Sequence, residues 1–253
     1  MILDQFRLDG RVALVTGASR GLGQGMARGL AEAGAHIACC SRGGSAEETR
    51  QLVEAAGREF LDLKVDLAEP EERKGLVQQV IDRFGRIDIL VNNAGGGDRY
   101  PPEDYPMEKW MHLVEVHLNA AFDLAQQAAP SMIRRGRGKI INIGSVMSFE
   151  GGWRIPAYAA AKHGIAGMTR GLATDWAGKG INVNCIAPGY FDTDMPNALR
   201  NDPVRAPQIM DRIPAGRWGQ PDEMGGLAVF LASDASNYLH GSVIPIDGGW
   251  LSR

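Results

Sequence analysis

The strongest constraint on the fold is the alternation of short apolar runs, rich in β-branched residues, with longer segments of helical periodicity. Strands are predicted at residues 11–15, 35–40, 60–65, 87–91, 139–143, 181–186 and 242–246. Helices are predicted at residues 22–33, 46–56, 71–84, 107–133, 156–177 and 221–232. Strands that are apolar on both faces and are separated by helices indicate a parallel sheet covered on both sides. The sequence therefore predicts an α/β fold, a doubly wound Rossmann-type parallel sheet, whose ligands gather at the carboxyl ends of the strands.

A length of 253 residues fits one domain spanning residues 1–253 better than two small domains. Periodicity is interrupted by Pro, Asn and Asp at about residues 188–214. An irregular segment of this kind in this type of fold predicts a lid over the substrate site, with a plain surface loop as the alternative.

Charge and cysteine content exclude several classes of function. The formal net charge of −3 argues against partners such as nucleic acid or a membrane surface. No apolar stretch approaches the ~20 residues that span a bilayer, and the N-terminus shows no signal peptide. The three cysteines form no metal-binding or disulfide pattern, so we expect buried free thiols, a cytoplasmic location and no metal.

A glycine-rich turn follows the first predicted strand and opens the first predicted helix. Its sequence runs from Val15 to Gly23 with glycines spaced Gly-x3-Gly-x-Gly. Met26 stands where the common Gly-x-Gly-x-x-Gly fingerprint has its last glycine. Glycines at such a turn allow backbone amides to approach a pyrophosphate at the helix N-terminus. The turn therefore predicts a nucleotide site.

The end of the second predicted strand bears on which dinucleotide binds. An acidic residue there would select the 2′-hydroxyl of NAD, but this chain has Ser41 and Arg42. Arg42 and Arg20 could together flank a 2′-phosphate, because a guanidinium matches phosphate geometry. We therefore expect NADP(H) as the preferred cofactor, with NAD(H) possible. The alternative is that both arginines are solvated loop residues.

Tyr158 and Lys162 lie four residues apart and therefore share one face of a predicted helix. A cation held beside a tyrosine favours the phenolate, which makes the hydroxyl a candidate acid/base near neutral pH. The alternative is an ordinary surface pair on an alanine-rich helix.

Together these motifs resemble the short-chain dehydrogenase/reductase family, in the order and spacing typical of it and over essentially the whole chain. The matching segments are Thr16-Gly17-x3-Gly21-x-Gly23, Asn92-Asn93-Ala94-Gly95, Ser145, Tyr158-x3-Lys162 and Pro188-Gly189. The resemblance implies an oxidoreductase that transfers hydride between NAD(P) and a secondary alcohol or ketone.

The resemblance also implies roles for individual residues. Tyr158 would be the general acid/base, Lys162 would lower its pKa and hold the nicotinamide ribose, Ser145 would polarise the substrate oxygen, and Asn119 would anchor a proton-relay water. The implied cofactor-binding residues are Gly17, Ser19, Arg20, Gly21, Leu22, Gly23, Ser41, Arg42, Asp66, Leu67, Asn93, Ala94, Gly95, Tyr158, Lys162, Pro188, Gly189 and Thr193. We interpret His112 and His117 as packing or surface residues, and His163 as pointing away from the site.

Further segments, among them residues 148–152, 211–219 and 247–253, resemble members of the family that act on deoxygluconate and keto-deoxygluconate sugar acids. The substrate site would then include Ser145, Tyr158 and a partner for the substrate carboxylate. Arg154, just before the Tyr158 helix, is the first candidate for that partner, with Arg99 and Arg217 as weaker ones. The alternative is that Arg154 pairs with Glu150 or with a neighbouring subunit.

Two other functions fit the motifs. One is a 3-oxoacyl-carrier-protein reductase, since residues 16–23 suit that group equally well. The other is a non-catalytic dinucleotide-sensing regulator, because fold does not imply function. The family resemblance also implies a homotetramer.

Overall fold

A computed structural model describes residues 1–43, 46–193 and 200–253, and within them one parallel sheet has the strand order β3-β2-β1-β4-β5-β6-β7. The strands are β1 (Val12–Thr16), β2 (His36–Ser41), β3 (Phe60–Lys64), β4 (Ile89–Asn92), β5 (Gly138–Ile143), β6 (Ile181–Pro188) and β7 (Val243–Ile246). Every neighbouring pair is parallel. The predicted Rossmann-type fold is confirmed.

Helices cover both faces of this sheet. They are α1 (Gly21–Glu32), α2 (Glu47–Ala55), α3 (Pro70–Arg73), α4 (Leu76–Phe84), α5 (Met107–Val114), α6 (Ala120–Arg135), α7 (Pro156–Trp176), α8 (Arg205–Arg212) and α9 (Glu223–Ala232). Alternate residues of a strand point to opposite faces, so β1 serves two cores. Ala13 and Val15 pack on the side of α1 and α9, whereas Val12 and Leu14 pack on the side of α4 and α6.

Two helices differ from the sequence-based expectation. The predicted helix over residues 71–84 is divided into α3 and α4, because Gly75 adopts a left-handed backbone with φ of 74°. Helix α8 lies inside the segment that we expected to be irregular. Its Pro207 falls in the first turn, where proline is tolerated, and Asp202 Oδ1 accepts a hydrogen bond from the Arg205 N–H.

The helix predicted over residues 107–133 contains a change of periodicity. A π-helical turn, Glu115–Asn119, joins α5 to α6. A π turn inserts one residue into a helix and so rotates the faces that follow it, and such turns are frequent at functional sites. This one lies beside the carboxyl edge of the sheet and decides which of its side chains face inward.

The predicted lid at residues 188–214 begins at the end of β6 and includes α8. Residues 194–199 of this segment lie outside the described residues, and a role as a lid stays a prediction. Phe191, near the start of this segment, forms an isolated parallel bridge with Gly219, which lies just beyond its end. All three cysteines are buried and free, as expected.

In the described part of the chain, no helix combines the length and the apolar character needed to cross a bilayer. Within the same residues, no group of three or more His, Cys, Asp or Glu side chains is arranged to hold a metal ion.

Candidate active site

The glycine-rich turn between β1 and α1 depends on positions that only glycine fills without strain. Gly17 has a φ of 65°, in the left-handed region that favours glycine. A Cβ atom on Gly23 would lie 2.3 Å from the Gly17 carbonyl oxygen. Gly21 and Gly23, in the first turn of α1, line an open cavity, so the helix N-terminus faces that space. This geometry fits the phosphates of a dinucleotide.

The ends of β1 and β4 are locked together beside this turn. Thr16 Oγ1 accepts hydrogen bonds from the backbone N–H groups of Asn93 and Ala94, each at 2.9 Å. The Asn93 side-chain amide donates to the Thr16 carbonyl oxygen at 2.8 Å and to the Gly17 carbonyl oxygen at 3.2 Å. These bonds satisfy backbone groups that the strands leave unpaired at the edge, and they hold the glycine turn in place.

Two adjoining cavities along this edge form one cleft, which we call the dinucleotide cleft. Its larger part has a volume of about 760 Å³ and its inner part about 220 Å³. The larger part is lined by Gly17, Ser19, Arg20, Ser41, Arg42, Asp66, Leu67, Ala94 and Gly95, and also by Lys109 and His112. The inner part is lined by Gly17, Arg20, Gly21, Leu22, Gly23, Asn93, Ala94, Gly95, Ser145, Tyr158, Lys162, Pro188, Gly189 and Thr193. Every cofactor-binding residue that the sequence predicted therefore lines this cleft.

Tyr158 and Lys162 lie on the same face of α7, as predicted, and both reach the inner part of the cleft. The Lys162 ammonium lies 5.5 Å from the centroid of the Tyr158 ring and donates a hydrogen bond to the Ile143 carbonyl oxygen at 2.6 Å. Ser145, just beyond β5, lines the cleft beside them. Three elements far apart in the sequence thus meet at one point.

Burial governs the protonation of this pair. Burial raises the pKa of Tyr158 above its ordinary value, and a hydrogen bond with Ser145 acts in the opposite direction. Burial also lowers the pKa of Lys162 to about 8. The net shift of the Tyr158 pKa in the protein by itself is set by burial, and a lowering of this pKa by Lys162 stays a prediction.

Ser148 is a residue that the sequence analysis did not single out. Its hydroxyl oxygen accepts a hydrogen bond from the Ser145 backbone N–H at 3.2 Å, and the hydroxyl donates to the Lys162 carbonyl oxygen at 2.8 Å. Ser148 thereby ties the end of β5 to α7 and fixes the distance between Ser145 and Lys162. The spacing Ser-x-x-Ser after a buried strand is the signal that could have indicated it.

The structure does not bring Asn119 to the site. Its side chain is exposed and donates a hydrogen bond to Glu115 at 2.6 Å. The side chain of the π-helical turn that faces the cleft belongs to His117, which is 6% exposed and lies edge-on to the Tyr158 ring. Residues two positions apart on a helix point to roughly opposite sides, so only one of the two can face Tyr158. His117, interpreted from the sequence as a packing or surface residue, is buried and packs against Tyr158, and it also lines the dinucleotide cleft.

Arg154 does not line the substrate side of the cleft either. Its φ is 59°, and its guanidinium lies 4.2 Å from the centroid of the Trp153 ring. Beyond Tyr158, a cavity of about 590 Å³, here called the outer pocket, is lined instead by Arg99 and Arg205. The Arg205 guanidinium lies 5.0 Å from the same tryptophan ring.

Ion pairs involve Arg217, the other weaker arginine candidate, and Glu150, the alternative partner of Arg154. Arg217 forms a two-pronged pair with Glu223, both contacts at 2.7 Å. Glu150, the proposed alternative partner of Arg154, pairs instead with Arg212 at 3.2 Å. Among the described residues, the ion-pair partner of Glu150 is therefore Arg212 and not Arg154.

Comparison with known proteins agrees with this geometry. A family model described as "Enoyl-(Acyl carrier protein) reductase" matches residues 17–251. A 2-dehydro-3-deoxy-D-gluconate 5-dehydrogenase from Bacillus subtilis is 51% identical over 99% of this chain and 98% of its own length. A gluconate 5-dehydrogenase from Gluconobacter oxydans is 41% identical over 97% of this chain and 96% of its own. The crystal structure of a gluconate 5-dehydrogenase from Burkholderia cenocepacia, in complex with NADP and tartrate, has a TM-score of 0.94 at 43% identity and covers 100% of both chains.

The fold and the site therefore define an oxidoreductase of the NAD(P)-dependent type. The chain belongs to the short-chain dehydrogenase/reductase family.

Proposed function

We propose that the protein is an NADP(H)-dependent dehydrogenase that transfers hydride between the nicotinamide and a secondary alcohol or ketone of a deoxygluconate or keto-deoxygluconate type sugar acid. One observation carries this proposal. Ser145 and Tyr158 line both the dinucleotide cleft and the outer pocket, so they stand at the boundary between a cofactor space and a substrate space.

The proposed chemistry follows from the hydrogen bonds of these side chains. Ser145 Oγ accepts a hydrogen bond from the Met147 backbone N–H at 3.1 Å, and its hydroxyl hydrogen, which stabilises the Tyr158 oxygen in the protein by itself, would turn to a bound substrate oxygen. Tyr158 would give a proton to that oxygen during ketone reduction and take one during alcohol oxidation. A bound nicotinamide supplies or accepts the hydride. Lys162 would hold positive charge at the boundary and so stabilise negative charge on the tyrosine oxygen during transfer.

The arginines of the outer pocket support an acidic substrate. Arg205 and Arg99 line it, although Asp98 and Asp202 line it as well. Asp202 Oδ1 is occupied by two backbone N–H groups, of Val204 and Arg205, at 2.9 Å each. A guanidinium in such a pocket binds a carboxylate through parallel hydrogen bonds. The curated relative from B. subtilis is named for a keto-deoxy sugar acid, and the B. cenocepacia structure contains tartrate, itself a hydroxy acid.

The residues at the adenosine end support NADP(H). Ser41 and Arg42 follow β2 and line the larger part of the dinucleotide cleft together with Arg20. A planar guanidinium on this wall suits a 2′-phosphate, and no acidic side chain stands at residues 41–43 to exclude one. The relative from B. cenocepacia was solved with NADP.

A homotetramer in the cytoplasm is the assembly and location that we propose for this enzyme. Phe122 and Ile133 on α6 are 45% and 37% exposed, which gives that helix an outward apolar surface suited to a subunit contact. Light scattering on the purified protein would measure the mass of the assembly, and a monomer would contradict the proposal.

The catalytic assignment predicts the effect of Tyr158→Phe. This change removes only the hydroxyl, so we expect turnover to fall by about 10²–10⁴-fold, while NADPH binding stays within a few-fold of wild type. The measurement is kcat with a panel of keto-deoxy sugar acids, gluconates and acetoacetyl thioesters, each assayed with NADPH and NADH, alongside a fluorescence titration of NADPH. A variant that keeps most of its activity would remove Tyr158 from the mechanism. Faster turnover of the thioesters than of any sugar acid would favour the carrier-protein reductase instead.

The substrate assignment predicts different results for two arginines that stack on the same tryptophan. Arg205→Ala should raise KM for the sugar acid by about ten- to a hundredfold, because a charge-assisted hydrogen bond is lost. Arg154→Ala is the matched control and should leave KM within about twofold, because Arg154 lines no part of the described outer pocket. The reverse pattern would restore the sequence-based assignment of Arg154.

The cofactor assignment predicts a selective loss in Arg42→Ala. We expect KM for NADP to rise about ten- to a hundredfold and KM for NAD to stay nearly constant, because only NADP carries the 2′-phosphate. Arg50→Ala is the control, since this exposed arginine on α2 pairs with Glu47 at 2.6 Å. Equal weakening of both cofactors in Arg42→Ala would contradict the preference for NADP.

A further inference from the structure

Tyr190 is a residue of the outer pocket that has no part in the chemistry proposed above. It lies just beyond the end of β6 and lines the outer pocket together with Ser145 and Tyr158. Its backbone is fixed, because its carbonyl oxygen accepts a hydrogen bond from the Gly219 N–H at 3.0 Å. The residue is half-buried, so part of its side chain is open to the pocket.

The ring of Tyr190 is held between two buried tryptophans. Its centroid lies 5.4 Å from that of Trp218, with an angle of 77° between the planes, and 4.8 Å from that of Trp250, with an angle of 51°. Trp218 is 8% exposed and Trp250 is 3% exposed, so neither ring can move away easily. The direction of the Tyr190 hydroxyl is therefore fixed before any substrate binds, which lowers the entropy lost on binding.

Tyr190 stands at the boundary of two cavities. Besides the outer pocket it lines a second cavity of about 480 Å³, here called the rear cavity, which Glu150, Arg212 and Trp250 also line. Glu150 is already occupied, since it accepts hydrogen bonds from Trp250 Nε1 at 2.5 Å and from the Arg212 guanidinium at 3.2 Å. Within the described chain, the Tyr190 hydroxyl has no hydrogen-bond partner.

The electrostatics of Tyr190 relate its hydroxyl to the outer pocket. Burial raises the pKa of Tyr190 above its ordinary value, and among the nearby charges those of Arg99 and Arg205 oppose this most. Both arginines line the outer pocket. Burial also raises the pKa of Tyr158, and the nearby Tyr190 adds to this effect. The Tyr190 hydroxyl is therefore protonated near pH 7 and lies within electrostatic reach of Tyr158 and of the two arginines.

A sugar acid that spans the outer pocket passes beside this hydroxyl. In the proposed function its reacting carbon lies at Ser145 and Tyr158, and its carboxylate lies at Arg205. Tyr190 lines the same pocket as these three residues. The carbons between the two ends of a sugar acid carry hydroxyl groups, whereas those of a simple acyl chain carry none. A neutral phenol both donates and accepts a hydrogen bond, so it can pair with such a hydroxyl in either direction.

We propose that Tyr190 determines substrate specificity by forming a hydrogen bond from its side chain to a hydroxyl group that lies between the reacting carbon and the carboxylate of the sugar acid. The proposal deepens the proposed function and rests on it for the class of substrate. A site built to bond a substrate hydroxyl rejects analogues that lack it, because its own polar group is then left unpaired. Tyr190 thereby separates sugar acids from ketones without neighbouring hydroxyl groups.

Binding of D-gluconate to the NADPH complex tests this hydrogen bond without turnover, because cofactor and ligand are both reduced and no hydride passes. Tyr190→Phe removes only the hydroxyl. The Kd of D-gluconate, measured by calorimetry, should therefore rise about five- to a hundredfold, while the Kd of NADPH stays within about twofold. Tyr238→Phe is the matched control at a fully exposed tyrosine and should bind both ligands as the wild type does.

Hexanoate, a six-carbon acid without hydroxyl groups, identifies the ligand group that Tyr190 contacts. As a competitor of D-gluconate it should bind equally to wild type and to Tyr190→Phe, since it offers only a carboxylate. An unchanged Kd of D-gluconate in Tyr190→Phe, or an equal loss for hexanoate, would overturn the proposal and leave the dehydrogenase function intact. A wild-type protein that reduces acetoacetyl thioesters but binds no D-gluconate would contradict the proposed function itself, and this proposal with it.

A crystal structure of the wild-type protein with NADPH and D-gluconate gives a second measurement that needs no variant. We expect the Tyr190 hydroxyl oxygen within about 3.2 Å of a gluconate hydroxyl oxygen in the outer pocket. A gluconate that lies in the rear cavity, or whose hydroxyl groups all contact other residues, would overturn the proposal. This measurement decides even where Tyr190→Phe fails to fold.

Discussion

The site depends on one constraint, which is that all the described strands run parallel with both sheet faces covered. The carboxyl ends of β1, β4 and β5 are then forced to one edge, side by side in the order of the sheet. Gly17, Asn93 and Ser145 each follow one of these ends, so residues far apart in the sequence meet in one cleft. The Thr16–Asn93 bonds show that this edge is also a structural joint, because the polar groups that would bind a ligand first satisfy one another.

Helix α7 brings the ammonium group of Lys162 to the carboxyl edge of the sheet. Lys162 is 4% exposed, and its position is fixed by hydrogen bonds that begin in the backbone: Nζ to the Ile143 carbonyl oxygen, and its own carbonyl oxygen to Ser148. Desolvation makes this ammonium costly and brings its pKa to about 8. The same burial raises the pKa of Tyr158. In the protein by itself, both groups are therefore protonated near pH 7.

The reach of sequence-based prediction differs between parts of this molecule for physical reasons. Strands, the glycine turn and the shared helix face of Tyr158 and Lys162 depend on one-dimensional spacing and were predicted from it. The family resemblance added the predicted cofactor-binding residues, all of which line the dinucleotide cleft, but not Lys109 and His112, which line it as well. Asn119 was assigned by resemblance to the family, and the sequence does not reveal the π-helical turn that directs His117 to the cleft instead. Gly75 and Pro207 show another limit. Gly75 divides into α3 and α4 a segment whose periodicity predicts one helix, and Pro207 lies in the first turn of α8, in a segment whose composition predicts irregular structure.

Arg154 marks a further limit, because its direction depends on a backbone dihedral in an irregular loop. With a φ of 59° its guanidinium stacks on Trp153, and α8 brings Arg205 to the same ring from a different part of the chain. The ring is 58% exposed, so this cluster stands at the open side of the outer pocket. Stacking restricts a long side chain before any ligand arrives, which lowers the entropy lost when it binds a carboxylate. The groups proposed to react are thus held by buried hydrogen bonds at the sheet edge, while the arginines proposed to select the substrate are held by stacking on exposed segments. Such a division lets one chemistry persist while loops and short helices alter its substrate.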